Sequence, residues 1–262
     1  MSLDQKQVMS AAASIREAYE AKSPIAALRN SYNMEIDDAY AVQEENTKHW
    51  LKQGRLLSGR KIGVTSHAVQ SQLGVDQPDF GMLFSDMAFA DGQEISMSHL
   101  LQPRIEGEIA FYLGKDLDSP GITLAEVLSA IEYAVAAIEV VDSRIANWDI
   151  QITDTIADNA SSGLYVLGSR PVKLDAFDHF NCGMVIENNG ETVCSGQGSA
   201  CLGNPLNACL WLAQMMIKYG RPLKAGDLIL SGALGPLTQV ESGQVYEMKI
   251  EGLGSVRADF TA

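Results

Sequence analysis

Pro103-Arg104-Ile105-Glu106-Gly107-Glu108-Ile109-Ala110-Phe111 is the stretch on which the reading of this chain turns. In a strand the two-residue side-chain period sends Glu106 and Glu108 to one face and Ile105, Ile109 and Phe111 to the other, with Gly107 leaving room behind the carboxylates. The two acidic residues then point into one space, their Cα atoms roughly 6.5 to 7 Å apart. Converging carboxylates repel each other unless a cation or protons intervene, and a hard divalent metal is the simplest remedy. The alternative is an edge strand whose outer face carries two solvated charges.

A third acidic residue lies in Ala136-Ala137-Ile138-Glu139-Val140-Val141, where Glu139 is the sole charge in an apolar, strand-like run. A carboxylate in that setting is costly unless it is paired or bound to metal. Glu106, Glu108 and Glu139, completed by water oxygens, suit an octahedral Mg2+ or Mn2+ site with positions open for an anionic chelating substrate. An ion pair between Glu139 and Arg144 would satisfy the same carboxylate. Gly59 to Thr65 places Lys61 inside an apolar strand, where burial lowers the pKa and a nearby carboxylate raises it; a snorkelling lysine is the plain alternative. Asp79, in the turn-rich loop Asp76 to Gly81, could cap the turn or act as a base. Asp158 to Gly163 offers short donors and acceptors suited to gripping a small carboxylate, a composition that also marks turns.

Around these motifs the chain reads as α+β. Helices are expected near the start, one capped by Asp4 and one by Asp37, separated by Pro24 and Asn30 to Asn33. From Leu56 short strand-like segments follow: Leu57 to Thr65, Ile105 to Leu113, Ala134 to Val141, Leu164 to Leu167, Met184 to Glu187, Asp227 to Ser231, Tyr246 to Ile250 and Ser255 to Phe260. Two further helices interrupt them, Thr123 to Tyr133 and Pro205 to Tyr219. The division expected is a helical arm over 1–55 and one β-rich domain over 56–262.

The 262 residues are 46% hydrophobic and 20% charged, enough for a sizeable core. Acidic residues outnumber basic ones 33 to 19, a formal charge of −14, so no broad cationic surface is available for nucleic acid or an anionic membrane. The N-terminal stretch lacks the basic end and apolar core of a secretory signal, and a cytoplasmic protein is expected. Cys182, Cys194, Cys201 and Cys209 show no metal spacing and are read as free, mostly buried thiols. Gly196 to Gly203 lacks the ending of a phosphate loop, and no G-x-S-x-G elbow occurs.

Taken together, G-R-K-I-G-V-T at 59–65, D-Q-P-D-F-G at 76–81, P-R-I-E-G-E-I-A at 103–110, A-I-E-V-V-D-S-R at 137–144 and D-T-I-A-D-N-A-S at 154–161 resemble the hydratase and decarboxylase branch of the fumarylacetoacetate hydrolase superfamily. The likeness is strongest to its 2-hydroxypenta-2,4-dienoate hydratases. The resemblance implies a mixed β-roll with a helical N-terminal arm, assembled into a homo-oligomer, a pentamer or decamer, that associates with a pathway decarboxylase or aldolase. It implies Glu106, Glu108 and Glu139 as ligands of Mg2+ or Mn2+, Lys61 and Asp79 as the groups that move protons, and Ser161 as a holder of the substrate carboxylate. The implied activity is hydration of 2-hydroxypenta-2,4-dienoate to 4-hydroxy-2-oxopentanoate in the meta-cleavage degradation of aromatic compounds. Decarboxylation of 2-oxohex-3-enedioate, or a catalytically silent partner of such an enzyme, is the alternative. The N-Y-x-x-H-x-x-E loop of the carbon–carbon hydrolase branch is missing, and Asn204 stands where relatives usually carry His.

Overall fold

Asp4 accepts a hydrogen bond from the backbone of Gln7, whose side chain reciprocates, and this capping box opens α1 (Gln5–Ala21). The computed structural model describes residues 2–262, the side chains of residues 68, 72 and 73 excepted. Helix α2 (Ile36–Lys52) is capped two residues before the expected position: Glu35 is the N-cap, and Asp37 lies in the first turn, where its charge complements the helix dipole. There follow β1 (Leu57–Gly63), α3 (His67–Leu73), β2 (Asp79–Phe84), β3 (Ala88–Ala90), β4 (Glu94–Ser96), β5 (Arg104–Leu113), α4 (Leu124–Ala130) and β6 (Ile131–Val141). The chain continues through α5 (Ile152–Ala157), β7 (Ser162–Leu167), β8 (Gly183–Asn188), β9 (Glu191–Gln197), α6 (Pro205–Lys218), β10 (Leu228–Leu230), β11 (Thr238–Gln239), β12 (Val245–Ile250) and β13 (Gly254–Thr261).

Among the described residues thirteen strands form two mixed sheets. The larger runs β2-β1-β10-β5-β6-β7-β3, with β11 pairing the start of β5; the smaller runs β4-β13-β12-β8-β9. Strand β5 is central, between β10 and β6, so the edge-strand reading of Glu106 and Glu108 does not hold. Its other face packs against the second sheet: a Cβ on Gly107 would lie 2.6 Å from Met248 Sδ and 2.8 Å from Met184 Sδ. Glycine there lets the two sheets close up. Ile105, Ile109 and Phe111 are fully buried on that face, each contributing roughly 1.5–3 kcal/mol of hydrophobic stabilisation.

Several local features depart from expectation. The helix opened by the Thr123–Glu126 capping box stops at Ala130, and Ile131 to Tyr133 already belong to β6; β-branched Ile and aromatic Tyr suit a strand, and ladder pairing to β5 takes their backbone groups. Asp79 is the first residue of β2, not a loop residue. Asn204 caps α6, accepting from Leu206 N at 3.0 Å, so this position performs a helix-capping job that Asn does well. All four cysteines are free and buried. Among the described residues no helix is long and apolar enough to cross a membrane.

The first two helices are tied to the sheet beside the future site. Gln43, buried on α2, donates through Nε2 to the carbonyls of Phe80 on β2 (2.8 Å) and Ile156 on α5 (3.0 Å). Tyr40 stacks on Phe80 with ring centroids 4.3 Å apart. The strand that begins with Asp79 is thereby held from the helical side.

Candidate active site

Three carboxylates meet where β5 and β6 pair. Glu106 lies directly opposite Glu139 in the antiparallel register, and Glu108 follows two residues along the same face. Ligand oxygens of all three fall within 4.8 Å of one another. Glu108 and Glu139 are fully buried, while Glu106 reaches the cleft described below. Lys61 crosses the curled sheet from β1 and places Nζ 3.2 Å from Glu139 Oε1; it also donates to the Ala160 carbonyl at 3.1 Å. At 2% exposure it does not snorkel. The proposed Glu139–Arg144 pair does not form: Arg144 instead donates through Nε to Asp158 Oδ1 at 2.5 Å, deep behind the site.

Asp79 faces the same space because β1 and β2 pair with Gly63 opposite Asp79. A Cβ on Gly63 would collide with Asp79 Oδ1 and stand 3.2 Å from Lys61 Nζ, so only glycine leaves room for the two charged ends. Ser161 closes the arrangement from the loop after α5, its hydroxyl 3.3 Å from Thr155 Oγ1 and 3.5 Å from Asp158 Oδ2. That loop is unusual. Asn159, Ala160 and Ser161 all have left-handed backbones, with φ of 57°, 52° and 51°, a conformation non-glycine residues hold only when their surroundings enforce it. Asn159 supplies part of that enforcement, gripping Met82 on β2 with both ends of its amide: Oδ1 accepts from Met82 N at 2.7 Å, and Nδ2 donates to Met82 O at 2.9 Å. Arg144 supplies the rest, donating to the Asp158 and Ser162 carbonyls.

The electrostatics are those of a site built for a cation. Burial raises the pKa of Glu106 to about 7, with Lys61 opposing and Glu139 reinforcing the shift. Burial pushes Glu108 well above its ordinary value, aided by Glu139 and Glu106, and raises Glu139 against the pull of Lys61. Asp79 is also raised by burial, only partly offset by Lys61. For Lys61 itself, burial lowers the pKa but the carboxylates of Glu139 and Asp79 more than compensate, so it is held as an ammonium. Glu108 Oε2 accepts from Gly232 N at 2.9 Å, whereas Glu108 Oε1, Glu139 Oε2 and both oxygens of Asp79 are buried without a hydrogen-bond partner, and Glu139 Oε1 faces the Lys61 ammonium. Buried oxygens in that condition are expensive. An all-oxygen donor set with no His or Cys fits a hard divalent cation, so the residues present suit a metal.

A cleft of about 400 Å3 opens over these groups, lined at its floor by Lys61, Asp79, Glu106, Thr155 and Ser161. Four of the six residues singled out from sequence, Lys61, Asp79, Glu106 and Ser161, line this cavity, and Glu108 and Glu139 lie buried beside Glu106. Thr155, Asn159 and the Ala160 carbonyl were not singled out; the D-T-I-A-D-N-A-S run contained them, but nothing in its composition distinguishes a strained, gripped loop from an ordinary turn.

This chain belongs to the fumarylacetoacetate hydrolase family: the family model for the fumarylacetoacetate (FAA) hydrolase C-terminal domain matches residues 57–261. Within the family it is similar to a protein named TodF product hydratase from Pseudomonas putida F1, 61% identical over 226 residues, 86% of this chain and 84% of that protein. It is 55% identical over 251 residues, 95% of each chain, to 2-keto-4-pentenoate hydratase 1 of Dechloromonas aromatica. Among solved structures, 4-oxalocrotonate decarboxylase from Pseudomonas putida G7, complexed with magnesium and adipate, superposes with a TM-score of 0.95 at 35% identity over 99% of both chains.

Proposed function

We propose that this protein is a divalent-metal-dependent hydro-lyase that adds water to 2-hydroxypenta-2,4-dienoate to give 4-hydroxy-2-oxopentanoate in the degradation of aromatic compounds. The observation that carries the chemistry is the convergence of three carboxylates, Glu108 and Glu139 buried with unpartnered oxygens and Glu106 reaching the cleft, beside Lys61 and Asp79. Hydration is favoured over decarboxylation because the relatives at 55% and 61% identity are hydratases by name, while the decarboxylase stands at 35%.

Glu106, Glu108 and Glu139 would hold the metal, with Mg2+ or Mn2+ the expected ion. A cation bound there would supply Lewis-acid chemistry, stabilising negative charge that develops at the acid end of a 2-oxo or 2-hydroxy acid. Ser161 donates its hydroxyl to the substrate carboxylate and fixes the acid end of the molecule. Lys61 and Asp79 hold and move the protons. The C2 hydroxyl gives one up as C5 receives one, converting the dienol to 2-oxopent-3-enoate, and water then adds its oxygen at C4 while C3 takes a proton. Asp79 suits this exchange because burial raises its pKa and leaves both oxygens free, and Lys61 is a fixed ammonium on the same cavity. The strained loop positions two of these parts at once, Ser161 by its own backbone and Lys61 through the Ala160 carbonyl.

Assembly into a homo-oligomer belongs to the same proposal, supported by exposed apolar side chains such as Leu56 and Phe180, and light scattering measures it. The decisive test of function is product identification. Purified protein is given freshly prepared 2-hydroxypenta-2,4-dienoate and, separately, 2-oxohex-3-enedioate, each with Mg2+ or with chelator. Hydrated product from the first substrate, abolished by chelator, is expected; carbon dioxide from the second with no hydration of the first overturns the reading.

A further inference from the structure

The cleft is polar at its floor and apolar at its rim. Lys61, Asp79, Thr155 and Ser161 are buried at the closed end. Towards solvent the walls are Val69, Trp148, Ile150 and Leu237, of which Val69 and Leu237 are 39% and 40% exposed. An acid of five carbons whose carboxylate and C2 oxygen sit at the floor fills only part of about 400 Å3, and what remains is bounded chiefly by hydrocarbon, with Thr65 and Ser66 the polar exceptions. Lys61 is the only cationic side chain among the described lining residues. Arg104 does not line the cleft; its guanidinium lies 4.4 Å from the centroid of the Trp148 ring and is engaged there.

Trp148 is placed deliberately. Asn147 and Trp148 both adopt left-handed backbones, with φ of 60° and 55°, and a bulky aromatic residue rarely does so unless tertiary contacts impose it. The indole Nε1 donates to the Gln102 carbonyl at 3.0 Å, which fixes the ring as a wall.

Resting on the proposal that this cleft receives the 2-oxo or 2-hydroxy acid, we infer that Val69, Trp148, Ile150 and Leu237 form an alkyl subsite that favours substrates extended beyond C5 by an apolar tail and disfavours those ending in a second carboxylate. An apolar tail exchanges water for side chains at the rim. A terminal carboxylate meets hydrocarbon walls with no cation to pair it, in a cleft that already holds Asp79 and Glu106, and desolvating it there is unfavourable.

Equilibrium binding of unreactive acids reads this without turnover. The full-length protein in saturating Mg2+ is titrated calorimetrically with 2-oxobutanoate, 2-oxopentanoate, 2-oxohexanoate and 2-oxooctanoate, and with the dicarboxylate 2-oxohexanedioate. Affinity should rise about fourfold for each methylene that the rim buries, and 2-oxohexanedioate should bind at least tenfold more weakly than 2-oxohexanoate. Leu237→Arg, at an exposed position where folding is not at stake, should invert that last preference. Affinity that is flat along the series, or a dicarboxylate that binds wild type as tightly as 2-oxohexanoate, overturns the subsite. Hydration of 2-hydroxypenta-2,4-dienoate, assayed on the same preparation, reports separately: hydration with flat binding removes only the subsite, and graded binding without hydration leaves the subsite standing and removes the proposed reaction.

Discussion

Replacing Glu139 with Gln separates a metal ligand from a structural ion-pair partner, because the amide keeps the shape of the side chain and loses only its charge. In the metal-free protein two effects oppose each other. Glu139 attracts Lys61 at 3.2 Å, a gross interaction of about 5 kcal/mol at an effective dielectric of about 20. It also repels Glu106 and Glu108, whose ligand oxygens lie within 4.8 Å, by about 3–4 kcal/mol each when all are ionised. The summed repulsion of about 6–8 kcal/mol slightly exceeds the attraction, so the metal-free variant should melt no lower than wild type. The metal-bound protein should differ sharply. Outer-shell partners of metal ligands are typically worth about 10- to 100-fold in affinity, so losing one of three ligands should weaken Mg2+ binding by at least about 100-fold. At a Mg2+ concentration 100 times the wild-type Kd, the wild type gains about 2.7 kcal/mol and a variant with 100-fold weaker binding gains about 0.4 kcal/mol. For a chain of this size that is about 5–11 °C of metal-induced Tm shift against about 1–2 °C. Thermal melts of both proteins across a Mg2+ titration measure it. A variant that melts far below wild type without metal, yet retains the full Mg2+ shift, would refute the assignment and make Glu139 a structural partner of Lys61.

Lys61→Met and Asp79→Asn should each keep the Mg2+-induced Tm shift while lowering kcat by about 10²- to 10⁴-fold; wild-type turnover in both removes them from the chemistry. Ser161→Ala should act mainly on KM, since its hydrogen bond to the substrate carboxylate exists before and during reaction, and a fall in kcat alone contradicts that role. Asn159→Ala leaves the buried Met82 amide unpaired at both ends, so stability should drop by about 1–3 kcal/mol in chemical denaturation and kcat should fall with it as the loop relaxes. Metal affinity should weaken on acidification: with Glu106 raised to about 7 and Glu108 and Glu139 also raised, the cation must displace protons below neutral pH, costing about tenfold per pH unit for each proton released. Calorimetry at pH 6 and pH 8 in buffers of different ionisation enthalpy counts those protons, and a pH-independent affinity contradicts the raised carboxylates.

The local sequence alone was enough to place Glu106 and Glu108 on one face of a strand, because the two-residue period of a strand does not depend on what packs around it. It also marked Glu139 as needing a partner, since a single charge in an apolar run is conspicuous whatever the fold. The cap at Asp4 and the Thr123 helix start were legible for the same reason: the interacting groups lie within one turn. What the sequence could not determine was partnership over distance. The cationic partner suggested for Glu139 was Arg144, five residues away, but Arg144 belongs to Asp158 and Glu139 meets Lys61, seventy-eight residues away. Only the curl of the larger sheet, which brings β1 across to β6, decides between them. The helix read through Tyr133 ends at Ala130 because β5 offers the next three residues a ladder, a competitor invisible to propensity. The left-handed run Asn159 to Ser161 depends on Met82, seventy-seven residues from Asn159, and on Arg144. Strain of that kind is never written in the strained residues, because what sustains it is the rest of the fold.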